Sequence, residues 1–148
     1  LTVDVAGTPS PDGPTAPDSP VPTDDVVGTI ALGADGYRFP ATLPRGWYHV
    51  VNTDEGTDGE GLHERSILRL GEAVPPEGLE ALMGDLAANA TPEVTLEAVG
   101  GLGAISPGFE GYLHLDLPEG DYVAVDFMPD PGEARPHLLD GYYTAFSP

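Results

Sequence analysis

The sequence contains no cysteine and no lysine, and its only strongly basic residues are five arginines. Without cysteine the chain has no disulfide, no thiolate ligand for a metal ion and no cysteine nucleophile. Against the arginines stand 25 acidic residues, and the formal net charge of −20 argues against binding to nucleic-acid phosphates or an anionic membrane surface. No apolar run approaches the length of about 18 residues that a membrane span needs. The 148 residues therefore fit one acidic globular domain with some additional chain.

The first 25 residues differ in composition from the rest of the chain. They carry 6 of the 17 prolines, interleaved with Thr, Ser and Asp, and they contain no aromatic residue. Such a stretch cannot bury enough apolar surface to offset the entropy of ordering. We therefore predict a Pro-rich disordered linker over 1–25 and a folded domain over 26–148. A Pro-rich spacer suits an extracellular or periplasmic protein, or one anchored at the cell surface through a segment missing from this chain.

Short apolar stretches alternate with Gly, Pro and Asp throughout the predicted domain. The period-two pattern is clearest where Leu113, Leu115 and Leu117 share one face of a strand. We predict strands at 26–32, 37–43, 47–52, 66–70, 94–99, 111–117, 122–128 and 143–146. The stretch 76–89 has apolar residues three and four apart and predicts a single helix, with prolines at its first turn. Many short strands with one helical insertion indicate an all-β sandwich or barrel.

A tyrosine after a tight turn gives a sharper signal. The segment Leu117-Pro118-Glu119-Gly120-Asp121-Tyr122 has the Leu-x-x-Gly-x-Tyr pattern of a tyrosine corner. In Greek-key sandwiches the hydroxyl of such a tyrosine donates a hydrogen bond back to the chain. A simple turn beside an ordinary strand tyrosine is the alternative interpretation.

Four segments of the chain resemble the cupredoxins, specifically a group of secreted bacterial plastocyanin-like domains. Segment 44–52 is similar to the strand before the first ligand loop, and 62–70 is similar to the segment that carries the first histidine ligand, here His63. Segment 117–129 is similar to the corner and strand that lead to the ligand cysteine. Segment 136–142 is similar to the Pro-His-x-x-x-Gly-Met segment, with His137 as the second histidine. The resemblance implies a Greek-key cupredoxin-like β-sandwich with one short helical insertion.

The chain departs from the cupredoxin pattern at two ligand positions. The resemblance places Asp126 where the family has its cysteine and Tyr142 where it has its methionine. A blue copper centre needs a thiolate in a His₂Cys plane, so this chain cannot form one and the usual electron-transfer role loses its chemical basis.

Two interpretations of these positions remain open. In one, His63, Asp126 and His137 form a His₂-carboxylate metal site with Tyr142 as a fourth oxygen donor, suited to copper(II), zinc or Fe²⁺. In the other the site is vestigial, Asp126 pairs with a histidine, and the fold is an extracytoplasmic binding or structural module for an unknown protein or envelope partner.

Other candidate residues carry weaker signals. The loop 52–61 is rich in acids, and Asp54, Asp58 and Glu60 could bind Ca²⁺ and stabilise an adhesion module, although their spacing does not match an EF-hand. His49 and His114 lie on predicted strands without a carboxylate at ligand spacing, which indicates surface or structural roles. No nucleophile elbow, P-loop, zinc-protease helix or dinucleotide fingerprint is present, so we expect no catalytic activity.

Overall fold

The computed structural model describes residues 25–33, 36–40, 42–56 and 61–148. All of the predicted linker except Asp25 lies outside these residues, so the linker stays a prediction. Within the described residues the chain forms seven strands, one α-helix and one 3₁₀-helix. The strands are β1 (Val26–Leu32), β2 (Gly46–Asn52), β3 (His63–Leu70), β4 (Leu96–Ile105), β5 (Glu110–Leu115), β6 (Asp121–Val125) and β7 (Tyr143–Phe146).

The strands form two sheets. One has the order β1-β2-β5 and the other has the order β4-β3-β6-β7. Strands β1 and β2 are parallel, and all the other neighbouring pairs are antiparallel. The predicted all-β sandwich with one short helical insertion is therefore confirmed.

Alternation along the strands builds the core between the sheets. In β2, Tyr48 and Val50 are fully buried and face Ile67 of β3 and Tyr122 of β6 in one hydrophobic cluster. Side chains of opposite parity point away from this cluster, as the period of two requires. The inward row of β3 also carries His63, and this places a polar side chain at the end of the apolar layer.

The helix α1 (Pro76–Ala87) covers a second apolar cluster. Leu79, Leu82 and Met83 are its buried residues, and they pack with Val123 and Val125 of β6. The predicted helix extends to residue 89, but the helix ends at Ala87 because Asn89 has a left-handed backbone with φ 52°. No helix in the described ranges is long and apolar enough to cross a membrane.

Each sheet has its own tyrosine corner. The Tyr122 hydroxyl donates to the Pro118 carbonyl oxygen at 2.8 Å, which confirms the corner predicted from the sequence. The Tyr48 hydroxyl donates to the Pro44 carbonyl oxygen at 2.6 Å and forms a second corner that we did not predict. The glycine two residues before each tyrosine has positive φ, 153° at position 46 and 156° at position 120, where a side chain would be strained.

The strand predicted at 37–43 is wrong. Its described residues form only one isolated bridge, between Arg38 and Ala31. Pro40 and Pro44 lack the N–H groups that a longer ladder would need. Tyr37 and Phe39, whose alternation suggested a strand, instead pack on the core cluster between the sheets.

The predicted bounds of four other strands differ from the observed ones by more than one residue. The strand predicted at 66–70 begins at His63, and the strand predicted at 111–117 ends at Leu115. The strand predicted at 122–128 ends at Val125, because the Asp126 carboxylate accepts the Met128 N–H at 2.9 Å and turns the chain. The strand predicted at 94–99 continues to Ile105 through three glycines. A Cβ atom at Gly101 would lie 2.1 Å from the Arg65 carbonyl oxygen, so this close approach of two backbones needs glycine.

Arg65 is a buried cation on the inward row of β3, with 1% of its surface exposed. Its guanidinium carbon lies 4.9 Å from the ring centre of Tyr37 and 4.8 Å from that of Phe39. None of its three side-chain nitrogens has a hydrogen-bond partner in the described part of the chain. Burial lowers the pKa of Arg65 to about 10, against the opposing effects of Tyr37 and Asp126.

Candidate metal centre

Three polar side chains meet at one end of the sandwich because of where their elements begin and end. His63 begins β3, Asp126 directly follows β6, and His137 begins the 3₁₀-helix (His137–Asp140). Strands β3 and β6 are paired, with Ser66 opposite Val125, so the start of one lies beside the end of the other. The 3₁₀-helix is tied to the same point by the Leu138 N–H, which donates to the Asp126 carbonyl oxygen at 2.9 Å.

Asp126 is the centre of this cluster. Its Oδ2 lies 2.7 Å from His63 Nδ1 and 3.2 Å from His137 Nδ1. Its Oδ1 accepts the backbone N–H of Met128 at 2.9 Å and that of Glu64 at 3.4 Å. Since the side chain is fully buried, these contacts provide the compensation that a buried carboxylate requires.

The outer nitrogen of each imidazole faces a second carboxylate. His63 Nε2 lies 2.8 Å from Asp54 Oδ2, and His137 Nε2 lies 3.4 Å from Asp130 Oδ1. The five side chains therefore alternate acid and imidazole from Asp54, through His63, Asp126 and His137, to Asp130. A carboxylate facing each ring nitrogen fixes the orientation of both rings.

The carboxylates also change the protonation of His63. Burial disfavours the charged ring and lowers its pKa, but the hydrogen bonds and charges of Asp126 and Asp54 together exceed this effect. The net result is a pKa of His63 above its ordinary value. In the absence of a metal ion the ring therefore keeps its second proton to a higher pH than an ordinary histidine does.

Tyr142 covers both imidazoles. Its ring centre lies 5.0 Å from that of His63, with the planes 20° apart, and 5.2 Å from that of His137. Burial raises the pKa of Tyr142, and the neighbouring acids, Asp54 first among them, raise it further. The structure therefore places Tyr142 beside the cluster, and its role as a fourth ligand stays a prediction.

The two histidines of the cluster line an acidic cavity of about 570 Å³. Besides His63, His137 and Tyr142, its lining includes five acids: Asp54, Glu55, Asp130, Glu133 and Asp140. A cleft lined by charges of one sign raises the local concentration of the opposite ion. This cavity therefore attracts cations.

Sequence reasoning identified the centre of the site and missed its outer carboxylates. His63, Asp126 and His137 each offer one ligand atom within 4.8 Å of the others, and among the described residues they form the single such group. Asp54 Oδ2 lies 2.8 Å from His63 Nε2, and its role as a calcium ligand stays a prediction. Asp58 and Glu60 lie outside the described residues, so the calcium loop stays a prediction. His49 and His114 lie on β2 and β5, in the other sheet.

The residues at the site do not fit a blue copper centre. The chain has no cysteine, and a carboxylate stands between the two Nδ1 atoms where the resemblance calls for a thiolate. The donor set is instead two imidazole nitrogens and a carboxylate oxygen. Imidazole and carboxylate suit zinc and copper(II), and they lack the soft sulfur that favours Cu(I).

No protein-family model and no curated protein sequence matches this chain. A solved structure of sodium-dithionite-reduced auracyanin from the photosynthetic bacterium Roseiflexus castenholzii is similar over 81% of this chain and 94% of that one, with a TM-score of 0.50 and 20% identity. A structure of auracyanin B covers 82% of this chain and 88% of its own, with a TM-score of 0.42 and 14% identity. The first likeness confirms the cupredoxin-like fold that the sequence resemblance implies, and it extends to the fold alone.

Proposed function

We propose that this protein is a non-catalytic, extracytoplasmic module of cupredoxin-like fold whose His63–Asp126–His137 cluster binds a divalent transition-metal ion. Zinc and copper(II) are the ions that its donors favour. In this proposal the site is a non-blue nitrogen and oxygen site, and it does not transfer electrons. The Pro-rich segment at 1–25 supports a position outside the cytoplasm, as a spacer from an envelope or protein partner.

The orientation of the two histidines carries the proposal. Both turn Nδ1 toward Asp126 and Nε2 toward an outer carboxylate, at 2.8 Å for His63 and 3.4 Å for His137. In metal sites a ligating histidine usually donates its other N–H to a carboxylate or carbonyl group, which fixes the ring and raises its basicity. Asp54 and Asp130 would serve in this way for an ion bound at the inner nitrogens.

The spacing of the inner atoms is compatible with a small ion. A tetrahedral zinc ion with bonds of about 2.0–2.1 Å separates its ligand atoms by about 3.3 Å. The two contacts of Asp126 Oδ2 with the Nδ1 atoms, at 2.7 Å and 3.2 Å, differ from this value by fractions of an ångström. The three ligand atoms lie within 4.8 Å of one another, so the side chains would have to rotate to bring all three to one ion.

The same contacts favour a second candidate, a scaffold that needs no metal. Asp126 already accepts hydrogen bonds from both imidazoles and from two backbone N–H groups, so the buried polar atoms of the cluster are satisfied without an ion. In this case the module binds its partner through another surface, and the cluster contributes only stability.

Calorimetric titration of chelator-treated protein with Zn²⁺ and with Cu²⁺ distinguishes the two candidates. A metal site should bind about one ion, and His63→Gln and His137→Gln should each weaken binding by about 10-fold or more. Binding should also weaken as pH falls through the pKa of His63, which lies above its ordinary value of about 6.5, because a protonated imidazole cannot ligate. The Cu²⁺ complex should give the resonance spectrum of a tetragonal nitrogen and oxygen site without intense blue absorption.

His49→Gln and His114→Gln are the matched controls, because these histidines lie on the other sheet. Both should bind metal as the unaltered protein does. Equal, small effects of all four substitutions would show that metal binds to scattered surface groups. The scaffold would then be the better description, and the experiment would reject the metal site.

A further inference from the structure

The outer face of the β1-β2-β5 sheet carries four side-chain rings in a compact group. Trp47 and His49 point outward from β2, and Tyr112 and His114 point outward from β5. His114 is exposed and the other three rings are half-buried. This ring face lies on the sheet opposite to the one that carries His63, and the metal-binding proposal makes no use of it.

The rings are arranged as two cross-strand pairs. Trp47 is paired with His114, with ring centres 5.0 Å apart and planes tilted by 54°. His49 is paired with Tyr112, with ring centres 5.2 Å apart and planes stacked at 25°. The two pairs lie two residues apart along the strands, a separation of about 7 Å. The rings therefore form a short continuous strip across the middle and edge strands of the sheet.

Strand β1 runs beside this strip. Thr29 is paired with His49 and Ala31 with Val51, whereas Val26 is paired with Trp47. Beside His49 the side chains of β1 are therefore smaller than the rings, and an extended ligand could lie there along the strip.

Charges on the ring face are paired with one another. Arg45 contacts Asp116 at 3.0 Å at one end of the strip, and His49 Nε2 contacts Glu110 at 2.8 Å at the other. In a chain with a formal charge of −20, this local pairing matches a neutral ligand better than a basic one. The same groups offer hydrogen-bond donors and acceptors at both ends of the rings.

We propose that the ring face binds a neutral saccharide chain. A pyranose ring has an apolar C–H face that packs on an aromatic ring, and hydroxyl groups around its edge that hydrogen-bond to polar side chains. Trp47 and Tyr112 would supply the packing surface, and Glu110 and Asp116 would accept hydrogen bonds from hydroxyl groups. Aromatic side chains with one wet edge are suited to such contacts.

Trp47 is the only tryptophan in the chain, so its fluorescence reports directly on this face. The probes are four neutral hexasaccharides: cellohexaose, laminarihexaose, maltohexaose and hexa-N-acetylchitohexaose. At least one should change the Trp47 emission with saturation below about 1 mM, a typical affinity range for weak specific binding. No change with any of the four up to that concentration would overturn the proposal.

Substitutions then locate the site by calorimetry, which does not need the tryptophan. Trp47→Leu and Tyr112→Leu should each weaken binding of the active hexasaccharide by about 10-fold or more, because buried aromatic contacts dominate affinity. Phe109→Leu is the control, since Phe109 is 66% exposed and lies beyond the opposite end of β5 from His114. An equal loss in the control would reject the ring face as the binding site.

Two further measurements keep the test decisive. If Trp47→Leu lowers the melting temperature strongly, His114→Ala replaces it, because His114 is exposed and its loss leaves the core intact. Sedimentation of the unaltered protein then tests for self-association. A dimer that Trp47→Leu or His114→Ala abolishes would mean that the face binds a second copy, and this would overturn the saccharide proposal.

Discussion

Replacing Arg65 with methionine should stabilise the protein. Arg65 is buried between the rings of Tyr37 and Phe39, and none of its guanidinium nitrogens has a hydrogen-bond partner among the described residues. A methionine of similar length fills the same space, contacts the same rings through its sulfur and leaves no donor unsatisfied. Replacing buried charges with apolar side chains of similar volume is often neutral or stabilising.

The magnitude follows from two opposing contributions. Each buried donor left without a partner costs about 1–3 kcal/mol, so the three nitrogens together cost about 3 kcal/mol or more. The two rings return about 1 kcal/mol each through cation–π contact, up to about 2 kcal/mol each where the cation is fully desolvated. With about 1 kcal/mol returned by each ring the net cost is about 1 kcal/mol or more, so we expect Arg65→Met to raise the free energy of unfolding by about 1–4 kcal/mol.

Urea denaturation followed by far-ultraviolet circular dichroism measures this difference. The control is Arg69→Met, which removes the same charge from the same strand at a half-buried position where Arg69 donates to the Glu119 carbonyl oxygen at 3.4 Å. The control should change the free energy of unfolding by less than about 0.5 kcal/mol, as surface substitutions usually do. A loss of stability in Arg65→Met with a neutral control would refute the reasoning and show that the guanidinium has a stabilising partner.

Four other substitutions test the corners and the site. Tyr48→Phe and Tyr122→Phe should each lower the free energy of unfolding by about 0.5–1.5 kcal/mol and should add in the double variant; coupling well above about 0.5 kcal/mol would contradict independent corners. In metal-free protein the raised pKa of His63 gives stability that is complete below the unfolded value of about 6.5 and is lost as pH rises through the folded value. Stability should therefore fall as pH rises from about 6.5 through the raised pKa of His63, and His63→Gln should flatten that fall; an identical slope in the variant would exclude His63 as its cause. Asp126→Cys should turn the Cu²⁺ complex intensely blue, whereas a colourless complex would show that position 126 cannot bond to an ion held by the two histidines.

The local alternation of apolar and polar residues could predict most of the strands. It failed where contacts between distant parts of the chain determine the structure. It identified β1 and β7 with their observed bounds. It mistook Tyr37 and Phe39 for strand residues, because packing on the guanidinium of Arg65 leaves no periodic signal of its own. It shortened β4, because glycine disfavours strands, while Gly101 is needed where the β3 backbone passes too close for a side chain.

The inner part of the candidate site could be predicted, and the outer part could not. The resemblance to cupredoxins predicted that His63, Asp126 and His137 lie together, and the structure places them within 4.8 Å of one another. The contacts of Asp54 and Asp130 depend on how two loops lie over the end of the sandwich, which no motif records. Acids are so numerous in this chain that their spacing alone could not single out these two.

The second tyrosine corner also has a sequence pattern, but we did not predict it. Leu43-Pro44-Arg45-Gly46-Trp47-Tyr48 repeats the pattern of Leu117-Pro118-Glu119-Gly120-Asp121-Tyr122 at every structural position. A search for internal repeats of this hexapeptide would have located the start of β2 and the direction of Tyr48.

The repeated hexapeptide forms the same turn in both sheets while the residue before its tyrosine varies. Within it the glycine and the tyrosine are fixed by backbone geometry and by the inward hydrogen bond, while the residue between them faces outward in both copies. That position holds Trp47 in one sheet and Asp121 in the other, so the turn accommodates either a large ring or a small acid. Surface chemistry can thus change at this position without altering the turn, and an evolving or engineered variant could exchange recognition groups there while keeping the fold.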